Sequence, residues 1–342
     1  MNNPLEKIAS RRSCLGGLGL GGAALLGTSG PAYAERSAYR DTSATRPKAV
    51  KPLRSDSIAV ALVQPSAGSP DLAALLEGVT DRIVLLESSG STPDLVHLGA
   101  LVAGAQLPWS AKDAVATAID LDGMEIARLQ KLAAQQRCYL SFECLARDRS
   151  WAGHIIHMGV LIGSDGAIAG QQWRAFPSAK RDKRLWAPTT IADVRERFIG
   201  RYGDDAMVPV IQTDIGNISM LADASEPLLQ AAQAIKGTEL MLFSALERRG
   251  GSRGAAEAYQ FFTIGQTRSS HSGDATLSEA GEERPSLALY DPRGVDVSSP
   301  RGDGTVSLAR LPLARWRQKR CMPDQGILAL APVLRHYSQG VG

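Results

Sequence analysis

The sequence predicts one large α/β domain behind a removable leader, and three observations predict it. From Ser57 onward, short apolar runs alternate with amphipathic stretches of helical length, the pattern of strands joined by crossover helices. One stretch, residues 208–242, contains a complete strand, sharp turn, helix and strand. Finally, taking the first 34 of the 342 residues as an export signal leaves 308, enough for a single domain with a full core.

The leader is read from its three parts. Lys7, Arg11 and Arg12 give a positive start, Cys14 to Gly27 a weakly apolar, glycine-rich core, and Ala32-Tyr33-Ala34 an A-x-A cleavage site. Ser10-Arg11-Arg12-Ser13-Cys14-Leu15 resembles a twin-arginine motif, which predicts an exported protein, periplasmic or secreted. Residues 35–56 are polar, basic and punctuated by proline, and are expected to form a disordered leader, with the domain proper spanning 57–342. The formal charge of +3 falls to about +1 once the leader is removed, too balanced to suggest nucleic acid. No later apolar run approaches the ~20 residues needed to span a bilayer.

Within the domain, Ile58 to Gln64 is a strand and Asp71 to Ser88 an amphipathic helix with Leu72, Leu75, Leu76, Val79, Ile83 and Leu86 inward. A strand over 93–100 follows, then a helix over 123–137 and a strand over 138–144. His154 to Gly163 and Ala167 to Arg174 form a hairpin turning at Ser164-Asp165-Gly166. Residues 177–205 read as a long polar insertion anchored by Trp186, Phe198 and Tyr202. In the central unit the strand ends at Ala222, the turn falls at Asp223-Ala224, and Ser225-Glu226-Pro227 starts the helix. A helix over 254–265 and an unusually polar run over 266–284 follow. Cys138, Cys144 and Cys321 remain after the leader. The first two are six residues apart on one strand, roughly 20 Å at ~3.3 Å per residue, so they cannot bridge and read as buried structural thiols.

Several of these stretches resemble the nitrilase, or carbon-nitrogen hydrolase, superfamily, with the aliphatic amidases the nearest branch. Ile58 to Gln64 is similar to its first strand, and Pro93-Asp94-Leu95-Val96-His97-Leu98-Gly99-Ala100 to its "DLVVFPE" strand. The hairpin around Ser164-Asp165-Gly166 resembles the one that ends in Arg-Lys. Gly216 to Ala222 with Pro227 and Lys236-Gly237-Thr238-Glu239-Leu240 resembles the segment bearing the catalytic cysteine, and 286–295 the late "S-x-I-x-D-P-x-G" turn. The resemblance implies a four-layer α-β-β-α sandwich and a homodimer in which the arm over 315–337 packs on a partner subunit.

It also implies a site, and there the chain departs from the pattern. Such hydrolases need a thiolate nucleophile, a carboxylate base and a cation for the oxyanion. At the matching positions stand Asp223, Ala100 and Ala175 respectively. No catalytic residue is therefore assigned. The expectation is a pseudoenzyme binding a small molecule, cationic if Asp223 is ionised, or a protein partner, with Asp223, Arg174, Trp173 and His157 as candidate contacts. Asp223 has a plainer role as the cap of the helix near Ser225. The alternative is a rewired hydrolase of non-peptide C–N bonds using Asp223, assisted by His97 or His157. Strand parity opposes it: an odd offset puts His97 and Ala100 on opposite faces, and likewise His154 and His157, which also argues against a metal site with Asp223. No cofactor is implied.

Overall fold

The computed structural model describes residues 48–63, 72–88, 90, 92–100, 110–176, 186–221, 227–246, 251–268, 285–301 and 306–320. The export signal, residues 35–47 of the expected leader, Asp223 with its turn, Cys321 and the arm beyond 320 lie outside these residues. Among the described residues no helix is long and apolar enough to cross a membrane.

Two sheets carry the fold. The first runs β12-β13-β1-β2-β4-β5-β6, with the short β3 (Ile119–Asp120) paired to β4. Its strands are β1 (Ile58–Val63), β2 (Leu95–Ala100), β4 (Tyr139–Arg147), β5 (Ile156–Ile162), β6 (Ile168–Trp173), β12 (Ser299–Arg301) and β13 (Val306–Leu311). The second runs β11-β10-β9-β8-β7, from β7 (Ile211–Thr213), β8 (Gly216–Leu221), β9 (Leu240–Leu246), β10 (Phe262–Arg268) and β11 (Pro285–Tyr290).

Strand alternation sorts the side chains into three layers of core. On the outer face of the first sheet, Val96, Leu98, Leu140 and Phe142 meet α1 (Leu72–Ser88) and α3 (Met124–Gln136) through Val79, Ile83, Ile126 and Leu129. On its inner face, Val60, Leu62, Leu95 and Leu161 pack against Ile218, Met220, Leu240 and Leu242 of the second sheet. The outer face of the second sheet presents Leu221, Met241 and Phe243 to Leu229 of α5 (Pro227–Ile235) and Ala255 of α6 (Gly251–Tyr259). The order helix, sheet, sheet, helix is the four-layer α-β-β-α sandwich. Gly159 permits the close approach of the two sheets, because a Cβ there would lie 3.1 Å from the Met220 side chain.

Three local expectations change. The polar stretch 177–205 contains a helix, α4 (Arg195–Tyr202), which buries Phe198 and lays Tyr202 against Trp151. The sequence hid it because a single short apolar face was set among charges. The helix expected over 254–265 stops at Tyr259, where Gln260 takes a left-handed φ of 56°, and the chain continues as β10. Phe262, Thr263 and Ile264 suit a pleated surface, and β10 gains a partner on each side, β9 parallel and β11 antiparallel.

The third concerns residues 48–56, assigned by composition to a disordered leader. Lys48 N–H donates to the Lys236 carbonyl at 2.7 Å, Gln212 Nε2 to the Ala49 carbonyl at 2.5 Å, and Arg317 Nη1 to the Lys51 carbonyl at 2.7 Å. Arg54 binds Asp214 through both its backbone N–H and its guanidinium. Few apolar side chains are needed to hold such a segment when its backbone satisfies donors and acceptors of the domain.

Candidate functional site

Two of the positions singled out from sequence, Ala100 and His157, lie on the first sheet around β2, β4 and β5. There the backbone does something strand parity does not anticipate. His97 pairs with Ser141 and Ala100 with Glu143, so three steps on β2 match two on β4. Gly99 absorbs the extra residue with a φ of 65°, a conformation open to glycine. The resulting bulge puts Ala100 on the same face as His97, not on the opposite one, and aligns it with Glu143.

That inner face carries a row of polar side chains in an otherwise apolar layer. His97 is fully buried, with Nδ1 2.8 Å from Ser141 Oγ. Burial brings its pKa down to about 3, opposed only in part by the Phe243 backbone, so the imidazole is neutral throughout the physiological range. Two residues beyond Ser141, Glu143 is 2% exposed and forms an ion-pair contact through Oε1 with His157 Nε2 of β5. Its other oxygen, Oε2, is buried and has no hydrogen-bond partner among the described residues.

Of the other candidates, His157 joins this row, whereas Trp173 packs away from it. The Trp173 indole is buried on the helix-facing side, edge-on to Trp151 at 4.9 Å and to Phe198 at 5.2 Å, so it is a core side chain. Arg174 donates its backbone N–H to the His157 carbonyl at 2.9 Å, while its Nε turns to the Phe176 carbonyl at 3.0 Å. Ala175 follows, 5% exposed, packed in one group with Leu221 at the end of β8 and Leu229 of α5. The position expected to carry a lysine thus abuts the last described residue before the Asp223 turn. Asp223 itself lies outside the described residues. His154 precedes β5 and lies 3.0 Å from Thr189 Oγ1 through Nδ1. Among the described residues no cluster of three or more His, Cys, Asp or Glu side chains could hold a metal ion.

Neither described thiol reaches this face. Cys138 and Cys144 are buried with Leu140 and Phe142 on the helix-facing side of β4. Burial pushes the Cys138 thiol up to about 12, and burial followed by the Glu143 charge raises that of Cys144 further. Both are protonated and inert as nucleophiles.

The far end of the central unit is built differently. Lys236 is fully buried and donates to Asp205 Oδ1 at 2.7 Å and to the carbonyls of Asp205 and Val208. Glu239 is 1% exposed and holds Arg317 through both oxygens at 2.8 Å, with the Asn217 N–H at 2.7 Å on Oε2. The Lys236-Gly237-Thr238-Glu239-Leu240 resemblance therefore reports structural ion pairs remote from the strand ends. Glu143 is the residue the sequence reading missed. Its signal was available: a lone carboxylate in the otherwise uncharged run Tyr139 to Ala146.

Back-to-back sheets covered by helices on both outer faces define the class of fold in which carbon-nitrogen hydrolases are built. The family profile for carbon-nitrogen hydrolases matches residues 104–320, and the chain belongs to that family. A carbon-nitrogen hydrolase from Helicobacter pylori superposes with a TM-score of 0.58 at 16% identity, covering 80% of this chain and 96% of that one. A branch 10 nitrilase-superfamily member from Saccharomyces cerevisiae gives 0.58 at 18%, covering 81% and 99%. An amidase from Nesterenkonia sp., solved with the acetamide moiety of fluoroacetamide covalently added at its active-site cysteine, gives 0.52 at 15%, covering 79% and 97%. In sequence, a bifunctional nitrilase/nitrile hydratase of Lupinus angustifolius is 31% identical over 126 residues, 36% of this chain. The alignment spans 31% of that relative, less than a third of its length.

Proposed function

We propose that this protein is an exported carbon-nitrogen hydrolase scaffold that binds a small molecule and does not cleave it. The observation that carries the reading is the pair of alanines. Ala100 ends β2 and Ala175 follows β6, the places where the family resemblance expects the base and the oxyanion cation, and a methyl group supplies neither proton transfer nor charge. The third position, by the same resemblance, holds Asp223 in place of a cysteine. The two described thiols are buried on the wrong face of β4 and protonated, so neither substitutes for it. Groups of this kind act together, and losing all three leaves binding without turnover.

The reading is tested by incubating the mature protein with simple amides, nitriles and N-carbamoyl compounds and measuring ammonia. No release above the protein-free rate is expected. Turnover that Asp223→Asn abolishes would overturn the proposal in favour of a rewired hydrolase. Export is tested separately: fractionation should find the processed chain outside the cytoplasm, and replacing Arg11 and Arg12 with lysine should retain it inside.

A further inference from the structure

We propose that Glu143, held by His157 beside Ala100, receives the ammonium group of a small primary amine. The inference rests on the binding role proposed above and names its ligand. Glu143 comes from the middle of the first sheet and lies almost wholly out of water, yet only one of its carboxylate oxygens is engaged, by His157. Oε2 has no partner among the described residues, whereas buried acceptors are ordinarily satisfied. Among the described residues its ion pair is with an imidazole, not with a lysine or arginine. Contrast Glu239, where a guanidinium and a backbone N–H occupy both oxygens.

The surroundings say where the missing donor would enter. Ala100 is the register partner of Glu143 on β2 and, unlike Glu143, is only half-buried. Its side chain stops at Cβ, so β2 brings no hydrogen-bonding group to the register position beside Glu143. A carboxylate with one oxygen unpaired among the described residues, and a methyl group at the neighbouring register position, selects a compact cation that donates hydrogen bonds. A primary ammonium has three N–H donors and fits, whereas a quaternary ammonium has charge without donors and a carboxamide has donors without charge.

Isothermal titration of the full mature chain with ethylammonium, tetramethylammonium and propionamide tests this. Saturable binding of ethylammonium is expected at ~1–10 mM, the range open to a ligand of so few atoms. Tetramethylammonium and propionamide should bind at least tenfold more weakly. Glu143→Gln should abolish ethylammonium binding, and Ala100→Leu, which sets a bulkier side chain at the neighbouring register position while leaving the pair intact, should weaken it at least tenfold. Should Glu143→Gln fail to fold, Ala100→Leu carries the test. Equal binding of the three probes, ethylammonium binding unchanged in either variant, or no binding at all overturns the proposal. Ammonia release from propionamide would instead break the non-catalytic reading and leave the amine site standing if its Glu143 dependence holds.

Discussion

Two buried carboxylates, Glu239 and Glu143, stand in strikingly unequal company for residues of the same type in the same sandwich. Glu239 has both oxygens bonded, to Arg317 and to the Asn217 N–H, and Arg317 in turn grips the Lys51 carbonyl. It ties the start of β9 to the helix after β13, α7 (Leu313–Arg320), and to the N-terminal segment. Glu143 has one oxygen on His157 and the other without a partner among the described residues. A buried charge whose bonding capacity is exhausted serves the fold. One left half-satisfied on an inner sheet face is free to serve a ligand, and the difference is readable from hydrogen bonds alone.

Breaking the satisfied carboxylate should therefore have the largest effect. Glu239→Ala removes the carboxylate that the Arg317 guanidinium and the Asn217 N–H share, and breaking a buried ion pair costs about 3 to 5 kcal/mol. Urea unfolding of the variant should show that loss as a lower midpoint at unchanged slope. A loss under ~1 kcal/mol would remove the contrast between the two sites.

A smaller effect is expected at the neighbouring cluster. Asp205 accepts from Lys236 and from Lys48, each at 2.7 Å, joining the N-terminal segment to the end of α5. Burial alone would raise its pKa, but the two lysines outweigh it and hold the carboxyl below its ordinary 3.8. With the folded value depressed, the stabilisation is complete above the unfolded pKa and is lost as pH falls through the folded one, that is, below about pH 4. Its side chain is 41% exposed, so solvent screening limits the contribution to about 1 kcal/mol. Asp205→Asn should flatten the acid limb of a stability-against-pH curve by that amount. An unchanged limb would assign the acid sensitivity to Asp214 and Asp291, whose pKa values are lowered in the same sense.

The two carboxylates also differ in how far the sequence disclosed them. Glu239 falls inside the Lys236 to Leu240 motif and was found at once, although its role proves structural. The strand and helix order was legible because the apolar spacing repeats what the layers require, as β1, α1, α3, β8 and α5 show. Glu143 escaped notice because its importance depends on a register that one glycine sets. Parity along Val96 to Ala100 predicts opposite faces for His97 and Ala100, and the bulge at Gly99 reverses that result by inserting a residue without a partner. A conformational option at one residue thus decided which side chains meet, and no periodicity encodes it. The segment 48–56 was missed for a related reason. Its hold on the domain runs mainly through backbone groups and charged side chains, which hydropathy does not register.

The smallest effect on stability should come from Glu143→Gln, and its smallness is what sharpens the contrast. Glutamine keeps the shape and an acceptor for His157, and its amide supplies no charge to bury. Replacing a half-satisfied buried carboxylate relieves desolvation as well as removing attraction, so the two terms nearly cancel, and the midpoint should stay within about 1 kcal/mol of wild type or rise. The same substitution at Glu239 removes a charge that Arg317 needs and should cost about 2 kcal/mol more. Equal losses at the two positions, measured by urea unfolding in the same buffer, would mean that His157 satisfies Glu143 as fully as Arg317 satisfies Glu239. Glu143 would then be structural, with no oxygen to offer a ligand.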